Sequence, residues 1–240
     1  MYLSVIIPAY NEAKRIGKTL EAIGTYLRTQ TYEWEVIVVN NNSSDETAAF
    51  VAGFVNREPR IKLLNENGPG KGHAVMKGML SATGDYRVFT DADNSTSIEH
   101  VEKMWPFIQN GYDVVIGSLA VPGARVAQGE PWYRVVMGKL GNKWIQFFAV
   151  WGIHDTQRGF KMFTARAAQA IFPKLTIFGW GFDIEVLALA RKYNFKIKEI
   201  PVTWSNDPNS KVNIWAYPQV LMQTLTVRWN LLTNKYGQRI

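Results

Sequence analysis

Tyr86-Arg87-Val88-Phe89-Thr90-Asp91-Ala92-Asp93 decides how this chain is to be read. The first five residues are β-prone and mostly apolar, so they predict a buried strand. Two carboxylates one residue apart then stand where that strand gives way to loop. In an open α/β sheet, ligands bind at the carboxyl ends of the strands. Asp-x-Asp at such an end can hold a divalent cation, and the cation can hold phosphates. Aspartate also favours plain solvated turns, and the tripeptide taken alone reads as one. The sequence on either side has to decide between the two.

Upstream, residues 3–7, 35–39 and 60–64 are short apolar runs that read as three more strands. Helices are predicted between them. One runs from Asn11-Glu12 to about residue 28, with Ile16, Leu20, Ile23 and Leu27 at helical spacing; the others cover about 46–56 and 73–82. Strands alternating with helices imply βαβ units and a parallel sheet. Polar stretches at 40–45 and 67–72 follow strand ends, so they should gather on one edge with the aspartates.

Downstream, a helix is predicted over 97–110 and a strand over 112–116, followed by Gly117-Ser118. Residues 131 to about 151 are helical in pattern and rich in aromatics: Trp132, Trp144, Phe147, Phe148 and Trp151. Residues 155–161 form a polar loop into a strand. A helix over 182–193 carries Asp183 and Glu185 in its first turn. Residues 197–204 read as one edge strand, because Pro201 cannot donate to a ladder. Pro218 begins a last helix, with Ile214, Tyr217, Leu221, Leu225, Trp229 and Leu232 near one side. It is too short to span a bilayer.

At 240 residues and 47% hydrophobic content, the chain is long enough for one large domain or a domain with an extension. It has no cysteine, which excludes a disulfide frame and cysteine-ligated metal and fits a reducing compartment. The opening eight residues have no basic n-region and no cleavage site, so no signal peptide is expected. No apolar run is long enough to predict a transmembrane helix. The net charge of +7 is unevenly placed. Residues 186–240 hold eight Lys/Arg against two Asp/Glu, and residues 1–185 nineteen against eighteen. A basic quarter that also carries Trp204, Trp215, Tyr217, Trp229 and Tyr236 favours a membrane interface over nucleic acid.

Other motifs weigh less by themselves. Gly68-Pro69-Gly70-Lys71-Gly72 fails the P-loop spacing, yet it is a glycine-rich turn at a helix N-terminus, where free N–H groups favour an anion. Asn40-Asn41-Asn42 can pair with a nucleobase edge, while Ser43, Ser44 or Asp45 caps the next helix. Asp183 and Glu185 are acid–base or metal candidates, although helix dipoles favour acids in any first turn. His73, His100 and His154 lack metal-ligand spacing. Arg125, Arg134, Arg158 and Lys161 could grip phosphates or be solvated surface charge.

In their order along the chain, these elements resemble glycosyltransferase family 2, inverting enzymes with a GT-A fold. The stretch from Ser4 to Glu12 is similar to that family's first strand and nucleotide-binding turn. Gly70-Lys71-Gly72 is similar to its Gly-Lys-Gly element, and Asp91-Ala92-Asp93 to its metal motif. Within the family, the chain most resembles dolichyl-phosphate β-glucosyltransferases, with polyprenyl-phosphate mannose synthases next. Gly117-Ser118, Asp155-Thr156-Gln157 with Gly159-Phe160-Lys161, Trp180 with Phe182-Asp183, and Trp204 with Ser210-Lys211 carry that second resemblance. Three departures stand out. Asn40-Asn41-Asn42-Ser43 replaces the usual Asp-Asp-Gly-Ser, Leu119 replaces the Arg after Gly-Ser, and Ser95 stands where mannose synthases place a Gln.

The resemblance implies a mostly parallel α/β sheet flanked by helices, with a catalytic domain over 1–205 and a basic aromatic extension over 206–240. The nucleotide-sugar half would run to about 118 and the acceptor half over 119–205, with the extension as a candidate membrane-interface helix. It implies transfer of glucose from UDP-glucose to a polyprenyl or dolichyl phosphate, with Mg2+ or Mn2+. Asp93, with Asp91, is then the metal site, and Asp93, Asp183 and Arg134 the catalytic set. Pro8, Ala9, Tyr10, Glu12, Asn41, Lys71, Asp91 and Ala92 would line the donor, and Arg125, Asp155, Gln157, Arg158 and Lys211 would complete substrate binding. The expected location is cytoplasmic, peripheral at the inner face of the membrane, with no nucleic-acid partner. The alternatives are a GDP-mannose enzyme, a transferase with a sugar acceptor, a non-catalytic nucleotide-sugar-binding protein and a nucleic-acid platform.

Overall fold

The computed structural model describes residues 2–128, 132–205 and 216–237, the side chains at 128 and 132–135 excepted. A seven-stranded sheet lies at its centre: β1 (Tyr2–Ala9), β2 (Glu33–Asn41), β3 (Ile61–Glu66), β4 (Tyr86–Thr90), β5 (Val114–Ser118), β7 (Phe160–Thr164) and β8 (Ile197–Pro201). Their spatial order is β3-β2-β1-β4-β7-β5-β8. All neighbours pair in parallel except β7, which runs antiparallel to both β4 and β5. A separate two-stranded sheet joins β6 (Arg125–Gln128) to β9 (Thr203–Ser205).

Side chains alternate across the sheet and build a core on each face. Leu3, Val5 and Ile7 of β1 pack on one side with Ile16, Leu20, Ile23 and Leu27 of α1 (Ile16–Arg28) and Val51 of α2 (Thr47–Val55). Ile6, Ile37 and Phe89 point to the other side, against α3 (Lys71–Ser81), α6 (Ala165–Ile171), α7 (Phe182–Lys192) and α8 (Ala216–Leu232). Period-two alternation on a sheet covered on both faces explains why its central strands are apolar almost throughout. The chain passes outward from β1 through β2 to β3 and then returns to place β4 on β1's other side. That reversal makes the crevice between the ends of β1 and β4 a topological switch point.

Several expectations need correction. Residues 97–110 are not one helix: a 3-10 turn (Ile98–Lys103) precedes α4 (Trp105–Gln109), whose first turn holds Pro106. Proline cannot donate back into a preceding turn, so the helix restarts there. Asn40 and Asn41 belong to β2, paired with Asn65 and Glu66, and are not loop. The first helix begins at Ile16, after Asn11 takes a left-handed backbone (φ 52). The stretch 197–204 breaks at Val202 into two strands of different sheets, although β8 is the edge that Pro201 requires.

The last helix departs furthest. It starts at Ala216, and its packed side is Ala216, Val220, Thr224, Val227 and Asn230. Leu225, Trp229 and Leu232 of the anticipated stripe are exposed instead, and Ile214 lies outside the described residues. The helix also meets a glycine segment through Gln223. A Cβ on Gly179 or Gly181 would lie 2.8 or 2.7 Å from Gln223, and Gln223 accepts the Gly181 N–H at 2.7 Å. Asn230 donates to Thr176 Oγ1 and Tyr236 OH, and Tyr236 donates to the buried Glu185. Glu185 is thereby a structural anchor, also accepting from the backbone of Thr176 and Ile177. α5 (Trp132–Phe148) packs against the same helix.

Candidate active site

Parallel pairing brings the ends of β1, β2, β3 and β4 to one edge, and the start of antiparallel β7 joins them because Thr90 pairs with Phe160. The loop before β7 therefore lies against the two aspartates. Its Gly159 carbonyl accepts the Asp91 N–H at 3.2 Å. A Cβ on Gly159 would lie 2.0 Å from Asp91 Oδ2. Only a residue without a side chain lets that carboxylate stand there.

Lys71 approaches Asp91 from the other side and donates to Oδ1. The Gly70-Lys71-Gly72 turn is what aims it. Gly70 has φ 103, and a Cβ on it would lie 2.3 Å from the Phe178 carbonyl; a Cβ on Gly72 would lie 2.7 Å from Phe178 Cα. The Gly72 N–H already donates to the Phe178 carbonyl at 2.9 Å. The turn is thus less an open anion cradle than a tight joint that fixes a lysine. Burial by itself would lower the Lys71 ammonium, but the charges of Asp91, Asp183 and Asp93 hold it above its ordinary value.

Asp93 accepts the Ser95 N–H at 2.9 Å. Burial first, and the Asp91 charge second, push its carboxyl above the usual aspartate value. Between the two, the Ala92 carbonyl accepts from Thr19 of α1, and the Ser95 carbonyl accepts from Ser205 of β9. Asp183 is buried at the start of α7, with Lys161 Nζ at 2.6 Å. Burial pushes Asp183 up and Lys161 down from their ordinary values, each opposed by the other's charge. Lys161, a phosphate-grip candidate by its sequence, is fully buried and serves this pair instead. A lysine inside Phe160-Lys161-Met162-Phe163 is the sequence signal that points there, since a buried cation needs a buried partner.

The nucleoside side of the edge is equally ordered. Asn41 donates to the carbonyls of Glu66 (3.1 Å) and Gly68 (2.7 Å). Asn40 donates to Asn65 Oδ1, and Asn42 to the Asn67 carbonyl. Three amides thereby tie the end of β2 to the end of β3. An aspartate could not do this, which explains the departure from Asp-Asp: a carboxylate cannot donate to a carbonyl. Asn41 keeps its Oδ1 as an acceptor. Pro8 and Ala9 end β1, Tyr10 is exposed beside them, and Glu12 is held by Arg15.

On the far side, Asp155 accepts from the Leu119 N–H (2.9 Å) and from Arg158 Nε (3.1 Å). The Arg158 guanidinium lies 4.8 Å from the Trp204 ring. Gln157 reaches the Trp180 carbonyl at 3.3 Å. Arg125 is exposed on β6, next to β9, and among the described residues no contact joins it to the aspartates. The side chain of Arg134, and Ser210 and Lys211 entirely, lie outside the described residues. The structure therefore brings Asp91, Ala92, Asp93, Lys71 and Asp183 into one cluster. Asp155, Gln157 and Arg158 form a flank, and Arg125 stands apart.

Glycosyl transferase family 2 matches residues 4–172. A dolichyl-phosphate beta-glucosyltransferase of Trichomonas vaginalis is 37% identical over 226 residues, covering 89% of this chain and 67% of that protein. The human dolichyl-phosphate beta-glucosyltransferase is 32% identical over 253 residues, covering 98% and 77%. Among solved structures, glucosyl-3-phosphoglycerate synthase from Mycobacterium tuberculosis, in complex with Mn2+, UDP and phosphoglyceric acid, superposes with a TM-score of 0.71. That alignment spans 100% of this chain and 80% of the other at 16% identity, a likeness of fold. With the family matched over most of its length and its relatives over most of theirs, this chain carries the GT-A fold and belongs to glycosyl transferase family 2.

Proposed function

We propose that this glycosyltransferase moves glucose from UDP-glucose to the phosphate of a dolichyl or other polyprenyl phosphate, inverting the anomeric carbon. One observation carries the reading: relatives named dolichyl-phosphate beta-glucosyltransferase match nearly the whole chain, at 32% identity over 98% of it in the human case. The catalytic domain would occupy 1–205, with the donor half to about 118 and the acceptor half over 119–205.

The residues present suit Mg2+ or Mn2+. Among the described residues no cluster of three or more His, Cys, Asp or Glu exists to cage a metal. Asp91 and Asp93 offer two hard oxygen donors, and Asp93 is driven up by burial and by its neighbour's charge. That donor set matches a cation held by one or two carboxylates and completed by substrate phosphates. When bound, the ion would supply Lewis-acid stabilisation of the departing nucleoside diphosphate.

The chain's own groups do the rest. Asn41 Oδ1 accepts the uracil N3–H, with Pro8, Ala9, Tyr10 and Glu12 around the nucleoside. Lys71 is aimed where a diphosphate next to Asp91 would lie. Arg158, fixed by Asp155 and Trp204, is the described cation suited to the acceptor phosphate, with Arg134, Gln157 and Lys211 as further contacts; Arg125, which stands apart on β6, is not one of them. A phosphate monoester has a second pKa of about 6 and is already anionic at neutral pH, so no strong base is needed. This agrees with Asp183, whose carboxylate is committed to Lys161 and positions the cluster. A sugar-hydroxyl acceptor would need a free base there.

Among the described residues no helix is long and apolar enough to cross a membrane. We place the protein peripherally at the cytoplasmic face, where its lipid acceptor is reached from the surface. The test is a screen of nucleoside-diphosphate sugars with a short polyprenyl phosphate and added Mg2+ or Mn2+, reading lipid-linked product. UDP-glucose should be the preferred donor, and Asp93→Ala should abolish turnover. Preference for GDP-mannose, or metal-dependent transfer by Asp93→Ala, would overturn the assignment.

A further inference from the structure

One face of the molecule contradicts the usual rule for a water-facing surface. On α5 and the turn after it, Phe147 is 72% and Trp151 73% exposed; on α8, Trp229 is 67% and Leu232 65% exposed. α5 packs against α8, so Phe147, Trp229 and Leu232 form one patch, with Trp151 just past the end of α5. Between the helices runs a groove of about 410 Å³ lined by Phe147, Phe148, Leu225, Arg228, Trp229 and Leu232. A contiguous apolar patch of this kind marks an interaction site.

Charge selects the partner. Neither α5 nor α8 contains a single Asp or Glu, while Lys139, Lys143 and Arg228 are exposed on them. In sequence, residues 131–154 and 208–240 are wholly free of acidic side chains. Exposed Trp, Phe and Leu beside Lys and Arg fit the boundary of an anionic bilayer, apolar side chains entering the acyl edge and cations meeting headgroups. The face is also mechanically joined to the active site. Gln223 of α8 braces Gly179 and Gly181, the backbone of Phe178 holds the Gly70–Gly72 turn, and that turn aims Lys71 at Asp91.

We propose that the α5–α8 face docks the enzyme on an anionic lipid bilayer and so presents the active-site edge to its membrane-borne acceptor. The inference rests on the lipid-phosphate reading above and adds the surface that does the docking.

The experiment is flotation of the full chain with phosphatidylcholine vesicles, with and without a third of phosphatidylglycerol, at low and high salt. Wild type should float with the anionic vesicles and be released by salt. Lys139→Gln/Lys143→Gln/Arg228→Gln should bind at least about tenfold more weakly. Trp151→Ser/Trp229→Ser should lose vesicle binding while keeping its thermal midpoint, because both rings stand in solvent. Turnover of a water-soluble short-chain acceptor should be unchanged in that double variant. Unaltered flotation in both variants, or equal binding to neutral vesicles, overturns the proposal. So does a stable dimer in sedimentation velocity that the double variant abolishes, since a second copy would then cover the face. The vesicle assay contains no nucleotide, so it can fail while transfer from UDP-glucose succeeds, and the reverse.

Discussion

Replacing Lys71 with methionine removes the cation that sits on Asp91 and leaves the side chain's length nearly unchanged. The Lys71 and Asp91 side chains are 29% and 37% exposed. The pair is neither a surface bridge nor a buried one. Exposed pairs contribute about 0.2–1 kcal/mol, and partial burial puts this one near the upper end. A divalent cation must displace the ammonium from Asp91, so about 1 kcal/mol of competition corresponds to roughly a fivefold weaker cation affinity. Lys71→Met should therefore bind Mn2+ alone about fivefold more tightly, read by titration calorimetry. The opposite is expected for UDP, because a diphosphate gives the displaced ammonium its next partner. UDP affinity should fall in Lys71→Met, and the mutual enhancement of Mn2+ and UDP expected of wild type should shrink. Lys71→Arg should keep most of that enhancement, though its planar head fits the turn less well. Unchanged or weaker Mn2+ binding in a folded Lys71→Met protein would refute the competition. Turnover by itself would not decide the matter, since both effects lower it.

Three more outcomes follow from other contacts in the structure. Lys161→Met leaves Asp183 buried without its cation and should cost about 3–5 kcal/mol in denaturant unfolding; Lys161→Met/Asp183→Leu should regain most of it, and no recovery would show that the cost is steric. Asn41→Asp, the usual residue of the family, should be destabilising here by about 1–3 kcal/mol, because a carboxylate would face the Glu66 and Gly68 carbonyls; an unchanged unfolding midpoint would show that those two bonds do not matter. Burial holds the His100 imidazole below its ordinary value of 6.5, while its Nε2 accepts the Thr203 N–H at 2.9 Å. The unfolded chain takes up that proton first, so stability should be lost as pH falls from about the ordinary value toward the folded one; His100→Gln should flatten that part of the unfolding-midpoint profile.

Much of the site is legible in the chain itself. Asp91 and Asp93 stand out because a β-prone run ends at them, and Lys71 because a glycine-rich turn surrounds it. The amides at 40–42 are visible in sequence as a departure, but their purpose is not. Their partners, Asn65, the Glu66 and Gly68 carbonyls and the Asn67 carbonyl, lie some 25 residues on along the chain and meet them only through the β2–β3 register. Lys161 looks like a phosphate contact in sequence for the same reason: its acid is 22 residues away on another element. On α8, hydrophobic spacing points to one side as the packed side. Its packed side instead holds Thr224, which donates to the Val220 carbonyl of its own helix, and Asn230, whose partners Thr176 and Tyr236 lie outside the helix.

The sequence by itself determined the sheet, the polar edge and the two carboxylates, because strand period, turn residues and acid spacing are local properties of the chain. Tertiary structure alone decided which charges meet. Gly159 closing on Asp91, Lys71 fixed against it, Asp183 locked to Lys161, and an apolar face left open between α5 and α8 all depend on segments distant in sequence. Their energies come from burial and proximity, which no local pattern encodes.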